Sequence, residues 1–159
     1  MEISVDDPTA ADVRALLERH LAFSRATTPL EFSFALDVGQ LTGPDITFFS
    51  ARRDGELLGV AALRRLDESH VELKSMHTRQ EARGQGVARA LLVELITTAR
   101  RHGYRRMSLE TGTTEDFEAA RRLYLSAGFE PCEPYGTYQP SPHNAWMTLA
   151  LDAATRPDG

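Results

Sequence analysis

The sequence predicts an α/β domain built on a mixed, mostly antiparallel central sheet with helices on both faces. Three observations predict it. Asp54-Gly55 stands between two apolar runs, ITFFSARR and ELLGVAAL, which is the pattern of a two-residue hairpin. The segments HVELKSMH, RRMSLE and AWMTLAL read as further strands. Between and around them lie segments whose apolar residues recur at helical spacing, the clearest over residues 86–101.

The elements follow in order. Residues 3–5 form a short apolar strand, and Asp6–Pro8 a turn. Thr9, with Asp12 three residues later, has the look of a helix cap with an acidic first turn. Val13, Leu16, Leu17 and Leu21 then repeat helically to about His20. Residues 30–41 (LEFSFALDVGQL) suggest a second, short helix that Gly43-Pro44 ends. The hairpin and the strand over residues 70–77 come next. In the helix over residues 86–101, Val87, Leu91 and Leu95 share one line and Ala88, Leu92, Ile96 and Ala99 its neighbour, with Gly103 placed as a C-cap glycine. A strand at 105–110 alternates Met107 and Leu109 with polar residues. Thr113 and Asp116 open a helix that carries Ala120, Leu123, Tyr124 and Ala127 and stops at Gly128. Phe129 begins a short strand, residues 131–142 form a proline-rich loop, and residues 145–151 a last strand. Residues 1–152 are expected to be one domain, and residues 153–159 a frayed tail.

Composition narrows the function classes. The chain has 159 residues, 42% of them apolar and 26% charged, as in a soluble globular domain. A formal charge of −5 disfavours nucleic acid and anionic lipid as partners. No apolar run is long enough to span a membrane, and the acidic start does not read as a signal peptide. The single cysteine, Cys132, excludes an internal disulfide and a multi-thiolate zinc site. The five histidines lack metal-ligand spacing, so no metal is expected. A cytoplasmic location agrees with this cysteine usage.

The chemistry is concentrated in ARGQGVARALL, residues 82–92. Gly84 and Gly86 fall between a strand and a strongly periodic helix. Glycine there admits unusual torsions and lets main-chain amides approach a ligand, and the first amides of the helix favour an anion. Arg79, Arg83 and Arg89 add positive charge. The pattern is neither a P-loop, since no GK[ST] follows, nor a dinucleotide fingerprint, since Arg89 stands where the third small residue belongs. It reads as a phosphate or pyrophosphate cradle.

In this order of strand, loop and long helix, the chain resembles motif A of the GNAT superfamily of acyl-CoA-dependent N-acyltransferases. Arg83, Gly86 and Ala88 match its pattern Q/R-x-x-G-x-G/A. Downstream, ARRLYLSAGFEP resembles motif B, A-x-x-L-Y-x-x-x-G-F. A closer resemblance, to a group of small bacterial N-acetyltransferases, rests on ALD at 35–37, LKSM at 73–76, SLETG at 108–112 and MT at 147–148. The resemblance implies a single-domain GNAT-like fold with acetyl-CoA as cosubstrate. It implies pyrophosphate contacts from Arg83, Gly84, Gln85, Gly86, Val87 and Ala88, and a pantetheine lying along Met76, His77 and Thr78. One departure concerns Phe117, which stands where many motif B segments carry asparagine.

Three residues are candidates for proton transfer. Tyr124, at the position of the superfamily's tyrosine, is the candidate acid for the departing thiolate. Glu72 stands eleven residues before Arg83, where several superfamily members carry a catalytic glutamate, and is a candidate base; the alternative is a solvated strand carboxylate beside Lys74. Glu110, at a strand end, is the other acidic candidate, either binding the substrate ammonium or acting as base. Arg52, Arg53, Arg64 and Arg65 read as solvated hairpin residues, and Cys132 as a spectator. Residues 9–41 and 133–143 are expected to wall the acceptor site, with Phe23, Phe32, Phe34, Tyr135 and Tyr138 as apolar surface.

The function expected is acetyl-CoA-dependent acetylation of a small-molecule primary amine in a ternary complex, an amino acid or related amino-carboxylate being the first choice. Acetylation of a protein N-terminus or lysine is the alternative within enzymes, and a non-catalytic acyl-CoA sensor the alternative outside them. A transfer-RNA acetyltransferase calls for a more basic surface. A homodimer is left open.

Overall fold

A computed structural model describes residues 1–29, 31 and 36–151 of the chain. Seven strands and three helices alternate as β1 (Glu2–Val5), α1 (Ala11–Thr27), β2 (Ile46–Arg53), β3 (Glu56–Arg65), β4 (His70–Thr78), α2 (Val87–Arg101), β5 (Arg106–Gly112), α3 (Glu118–Ser126), β6 (Glu130–Cys132) and β7 (Asn144–Ala150). They form one sheet in the order β1-β2-β3-β4-β5-β7-β6. Every neighbouring pair is antiparallel except β4 and β5, which are parallel and joined through α2. This is the expected mixed α/β layout.

Strand alternation sorts side chains onto two faces. Phe49, Ala61, Leu63, Val71, Leu73, Met107, Leu109 and Met147 point to one face, where they pack with Leu91, Leu92 and Leu95 of α2 and Tyr124 of α3. Phe48, Val60 and Ala62 point to the other, against Val13, Leu16 and Leu17 of α1. On that second face the strands past β3 turn polar: Glu72 and Lys74 of β4, Ser108 of β5 and Asn144 of β7 are buried there. Residues 133–143 cover this region through Tyr135 and Tyr138, whose hydroxyls reach Glu72.

The hairpin between β2 and β3 turns at Asp54 (φ 53°) and Gly55 (φ 82°), both left-handed as its two-residue turn requires. Other elements depart from expectation. α1 runs to Thr27 instead of about His20. Its N-cap is Ala10, without a side-chain cap; the Thr9 amide and hydroxyl both donate to Asp7 (2.8 and 2.7 Å). Asp12 turns to Arg52 (2.7 Å), which also holds Asp6 (3.1 Å), so Arg52 ties the hairpin to the start of α1. The expected helix over 30–41 lies partly outside the described residues, as do Phe32 and Phe34; its described end is a 3-10 turn, Gln40–Thr42. α3 begins at Glu118, later than Thr113, after a 3-10 turn at Glu115–Phe117. The tail over 153–159 also lies outside the described residues. No helix among those described is long and apolar enough to cross a membrane.

Candidate active site

The site arises where β4 and β5 part. Their parallel pairing runs from His70–Arg106 to Leu73–Leu109 and stops, although β4 continues to Thr78 and β5 to Gly112. A bulge in β4 accompanies the parting. Ala62 pairs with Lys74 and Val60 with His77, so Ser75 and Met76 together face Ala61. Ser75 takes the left-handed backbone (φ 56°), which a non-glycine residue adopts at a cost. Two cavities meet at the opening. The larger, about 510 Å³, lies on the α2–α3 side and is lined by Met76, His77, Thr78, Arg83, Gly84, Gly86, Val87, Ala88 and Arg89, with Phe23, Phe117 and Tyr124. The smaller, about 100 Å³, is lined by Lys74, Ser75 and Met76 of β4, Leu109, Glu110, Thr111 and Gly112 of β5, and His20, Ser24 and Thr28 on the α1 side. Tyr124, His20, Met76, Phe117 and Ala120 line both.

In the larger cavity the loop before α2 is shaped by Gly84 (φ 77°) and Gly86 (φ 81°), torsions that side chains rarely adopt. The Arg83 amide donates to Gln80 O (3.3 Å), while those of Gly84 to Arg89 have no backbone acceptor among the described residues. The first α2 amide with a carbonyl acceptor is Ala90, to Gly86 O (3.0 Å). A row of donors at a helix start, with Arg83 and Arg89 beside it, is suited to a phosphate or pyrophosphate. Eight of the nine residues expected to contact the cofactor line this cavity. The exception is Gln85, whose side chain turns to Arg53 Nη1 (3.0 Å) and Glu81 O (3.4 Å), so that only its amide belongs to the loop. Arg79 is drawn away too, to Glu56 (3.3 Å), Glu81 (3.6 Å) and Leu57 O (3.1 Å).

Tyr124, only 7% exposed, stands at the junction of the cavities. Burial, with Glu110 adding to it, pushes its phenol well above the usual range, so the hydroxyl stays protonated and keeps a proton to give. Glu110 lines the smaller cavity and accepts a hydrogen bond from Asn144 Nδ2 (2.7 Å). Burial raises its carboxyl, while the Asn144 bond and Lys74 oppose the rise. A half-desolvated carboxylate of this kind can take a proton or hold an ammonium.

Glu72 differs from both sequence readings. It is 0% exposed, hence no solvated carboxylate, and it lines neither cavity. Tyr135 OH (2.6 Å) and Tyr138 OH (2.8 Å) donate to its Oε2. Arg64 Nη2 stands 2.8 Å from Oε1, outside hydrogen-bonding alignment. Arg64 is therefore an ion-pair partner and no merely solvated hairpin residue. The two tyrosines serve as carboxylate donors more than as apolar surface.

His77, expected on the cofactor strand, pairs with His20 of α1 (Nδ1 to Nδ1, 3.3 Å). Burial lowers both, to about 3 for His20, helped by His77 and Lys74, and to about 4 for His77, helped by Arg83 and Arg19. Phe117 packs on Phe23 (5.5 Å between centroids) and lies over Gly112, where a Cβ would fall 2.2 Å from its ring. The glycine of SLETG thus makes room for the aromatic that replaces asparagine. Burial raises the Cys132 thiol, which disfavours its nucleophilic form. Sequence reasoning missed Lys74, Ser75, His20 and Asn144 as cavity or site residues. Strand alternation put the polar residues on one face but carried no sign that this face is buried.

A sheet opened between two parallel strands, with a glycine-shaped row of amides on one side and a carboxylate pocket on the other, has the layout of a group-transfer enzyme. Residues 12–129 match the Acetyltransferase (GNAT) family, and the chain belongs to it and is an acetyltransferase. It is 43% identical over 151 residues to the uncharacterized N-acetyltransferase YsnE of Bacillus subtilis, covering 95% of this chain and 100% of that one. It is 33% identical to an IAA acetyltransferase of Azospirillum brasilense, covering 94% and 97%. Its fold matches that of an aminoglycoside 6′-N-acetyltransferase complexed with coenzyme A, with a TM-score of 0.70 at 17% identity over 96% of this chain and 98% of that one.

Proposed function

We propose that the protein transfers the acetyl group of acetyl-CoA directly to the primary amine of a small molecule within a ternary complex. The observation that carries this reading is the position of Tyr124, shared by a cavity fit for a long phosphorylated donor and a small polar cavity fit for an acceptor. The pyrophosphate of the donor lies on the amides of Gly84, Gln85, Gly86, Val87 and Ala88, with Arg83 and Arg89 supplying charge. The pantetheine runs along Met76, His77 and Thr78, and brings the thioester to the parting of β4 and β5.

From the other side the acceptor presents its ammonium to Glu110. Loss of one proton to Glu110, directly or through water, frees the nitrogen lone pair. That pair attacks the thioester carbonyl carbon, a C–N bond forms, and the C–S bond breaks. The Tyr124 hydroxyl gives its proton to the departing sulfur, which leaves as the free thiol, and the second proton of the acylated nitrogen passes through water to restore the phenol. A thiolate born in this desolvated space is itself made more basic by burial, which helps a phenol of raised pKa to serve it. The small volume of the acceptor cavity among the described residues favours a small molecule over a polypeptide.

The test is thiol release from acetyl-CoA against a panel of amines, with Tyr124→Phe alongside. Acceptor-dependent turnover that falls about 100-fold or more in the variant is expected. Tight CoA binding with no turnover on any amine would make the protein a sensor, and absence of CoA binding would end the reading.

A further inference from the structure

We propose that Lys74 and Ser75 form a carboxylate subsite in the smaller cavity, and that the acceptor is an amino acid. This rests on the acetyl-transfer reading above and adds to it the substrate class.

Lys74 is 6% exposed and lines the cavity. Its Nζ donates to Tyr138 OH (3.1 Å), the phenol that also donates to Glu72. An ammonium has three protons to give, and where water is partly excluded it attracts an anion more strongly than at a surface; burial pulls the Lys74 pKa down, while Glu72 and Glu110 hold it up. The Glu72 carboxylate on the same strand is already committed to Tyr135, Tyr138 and Arg64, and so belongs to the scaffold behind the lysine.

Ser75 supplies an independent observation. It is 8% exposed and lines the same cavity, and its buried Oγ has no hydrogen-bond partner among the described residues. A buried hydroxyl without a partner is costly, and this one sits on a residue held in left-handed backbone (φ 56°) by the bulge. In a regular strand Lys74 and Ser75 would point to opposite faces; the bulge brings both to one cavity. A carboxylate beside Ser75 gives that hydroxyl an acceptor, and Lys74 gives the carboxylate its counter-charge.

Across the parting, on β5, Glu110 carries the opposite sign. The cavity thus offers a cation and a hydroxyl donor from β4 and a carboxylate from β5. That polarity matches a molecule whose carboxylate and ammonium are separated by one or a few carbons. A simple alkylamine would leave Lys74 and Ser75 without a ligand group, and a diamine would place a cation near Lys74.

The test compares L-amino acids with their decarboxylated amines (alanine with ethylamine, phenylalanine with phenethylamine) in the thiol-release assay. Wild-type protein, Lys74→Met and Ser75→Ala are compared, and fold is checked by CoA binding. Amino-acid binding is read separately from the fluorescence of Trp146, the only tryptophan, which lies 6.1 Å from the Tyr138 ring. The wild type should prefer the amino acid. Lys74→Met should shrink the ratio of kcat/KM between each amino acid and its amine by about 10- to 100-fold, mainly through KM, with Ser75→Ala nearer about 10-fold. Ser75→Ala removes a hydroxyl that bonds nothing among the described residues, so it keeps the test decisive should Lys74→Met fold poorly. A wild type that acetylates carboxylate-free amines as well as amino acids, or variants with an unchanged ratio, would overturn the subsite while leaving the transferase intact. Absence of turnover on every amine would refute the transferase reading and the subsite together.

Discussion

Replacing Glu72 by glutamine separates a fastening role from a catalytic one. The carboxylate is fully buried, and its Oε2 accepts from two phenols at 2.6 and 2.8 Å. An amide oxygen in the same place keeps both hydrogen bonds but loses their charge-assisted share, about 1 kcal/mol each. The amide nitrogen then meets Arg64, donor against donor. Arg64 is 34% exposed and can turn to water, so this adds less than the loss of a wholly buried ion pair. The sum is a destabilisation of about 2–4 kcal/mol. In urea unfolding it should lower the midpoint by about 1–2 M at unchanged m. Because Tyr135 and Tyr138 anchor residues 133–143 through this carboxylate, kcat/KM should fall modestly, through KM. A Glu72→Gln protein within about 1 kcal/mol of wild type, with kcat reduced 100-fold or more, would refute this account and restore Glu72 as the base.

Three further outcomes follow from the site. Gly86→Val puts a β-branched residue at φ 81°, and should cost about 1–3 kcal/mol of stability or shift the loop, raising KM for the acyl donor in steady-state assays. Gly112→Ala brings a Cβ to 2.2 Å from the Phe117 ring, and should destabilise by about 1–3 kcal/mol, seen as a lower thermal midpoint. His20 and His77 have folded pKa values depressed to about 3 and about 4, below the ordinary 6.5. The unfolded chain therefore binds more protons between those limits. Their contribution is fully present above pH 6.5 and is lost as pH falls toward 4, at up to about 1.4 kcal/mol per unit for each histidine. Unfolding free energies at pH 7 and pH 5 should differ by on the order of 1–3 kcal/mol in wild type and by much less in His20→Gln/His77→Gln.

Local signals carried most of the fold. The Asp54-Gly55 hairpin, the periodic helix of Val87, Leu91 and Leu95, and the glycines around Gln85 each depend on chemistry within a few residues, and each was legible. The start of α1 was not, because Asp12 answers to Arg52, forty residues away (2.7 Å), and the capping pattern of Thr9 is satisfied by Asp7 instead. Within the site, the glycine-shaped loop before α2 was legible because it is one contiguous segment. The smaller cavity was not, since it is assembled across α1, β4, β5 and α3 by long-range packing. Nothing local distinguishes Lys74 from an ordinary solvent-facing strand lysine, or marks Ser75 as the bulged residue. Glu72 was singled out by its spacing from Arg83, but the two tyrosines that hold it lie more than sixty residues on.

The parting of β4 and β5 has a consequence for how such a protein can change. On the proposed reading the donor meets the loop before α2 and the end of β4, while the acceptor meets the polar side chains of the smaller cavity. Lys74, Glu110 and Asn144 project from the face opposite the core, while Leu73, Leu109 and Met147 project into the core beneath α2, with Leu73 and Leu109 also reaching the smaller cavity. Under the proposed mechanism, substitutions at Lys74 and Ser75 alter the acceptor pocket while leaving the base Glu110, its partner Asn144 and the packing under the phosphate loop in place. A library confined to those two positions would therefore explore acceptors at a fixed donor, and an inhibitor joining both substrates would have to thread the parting of β4 and β5 to reach both at once.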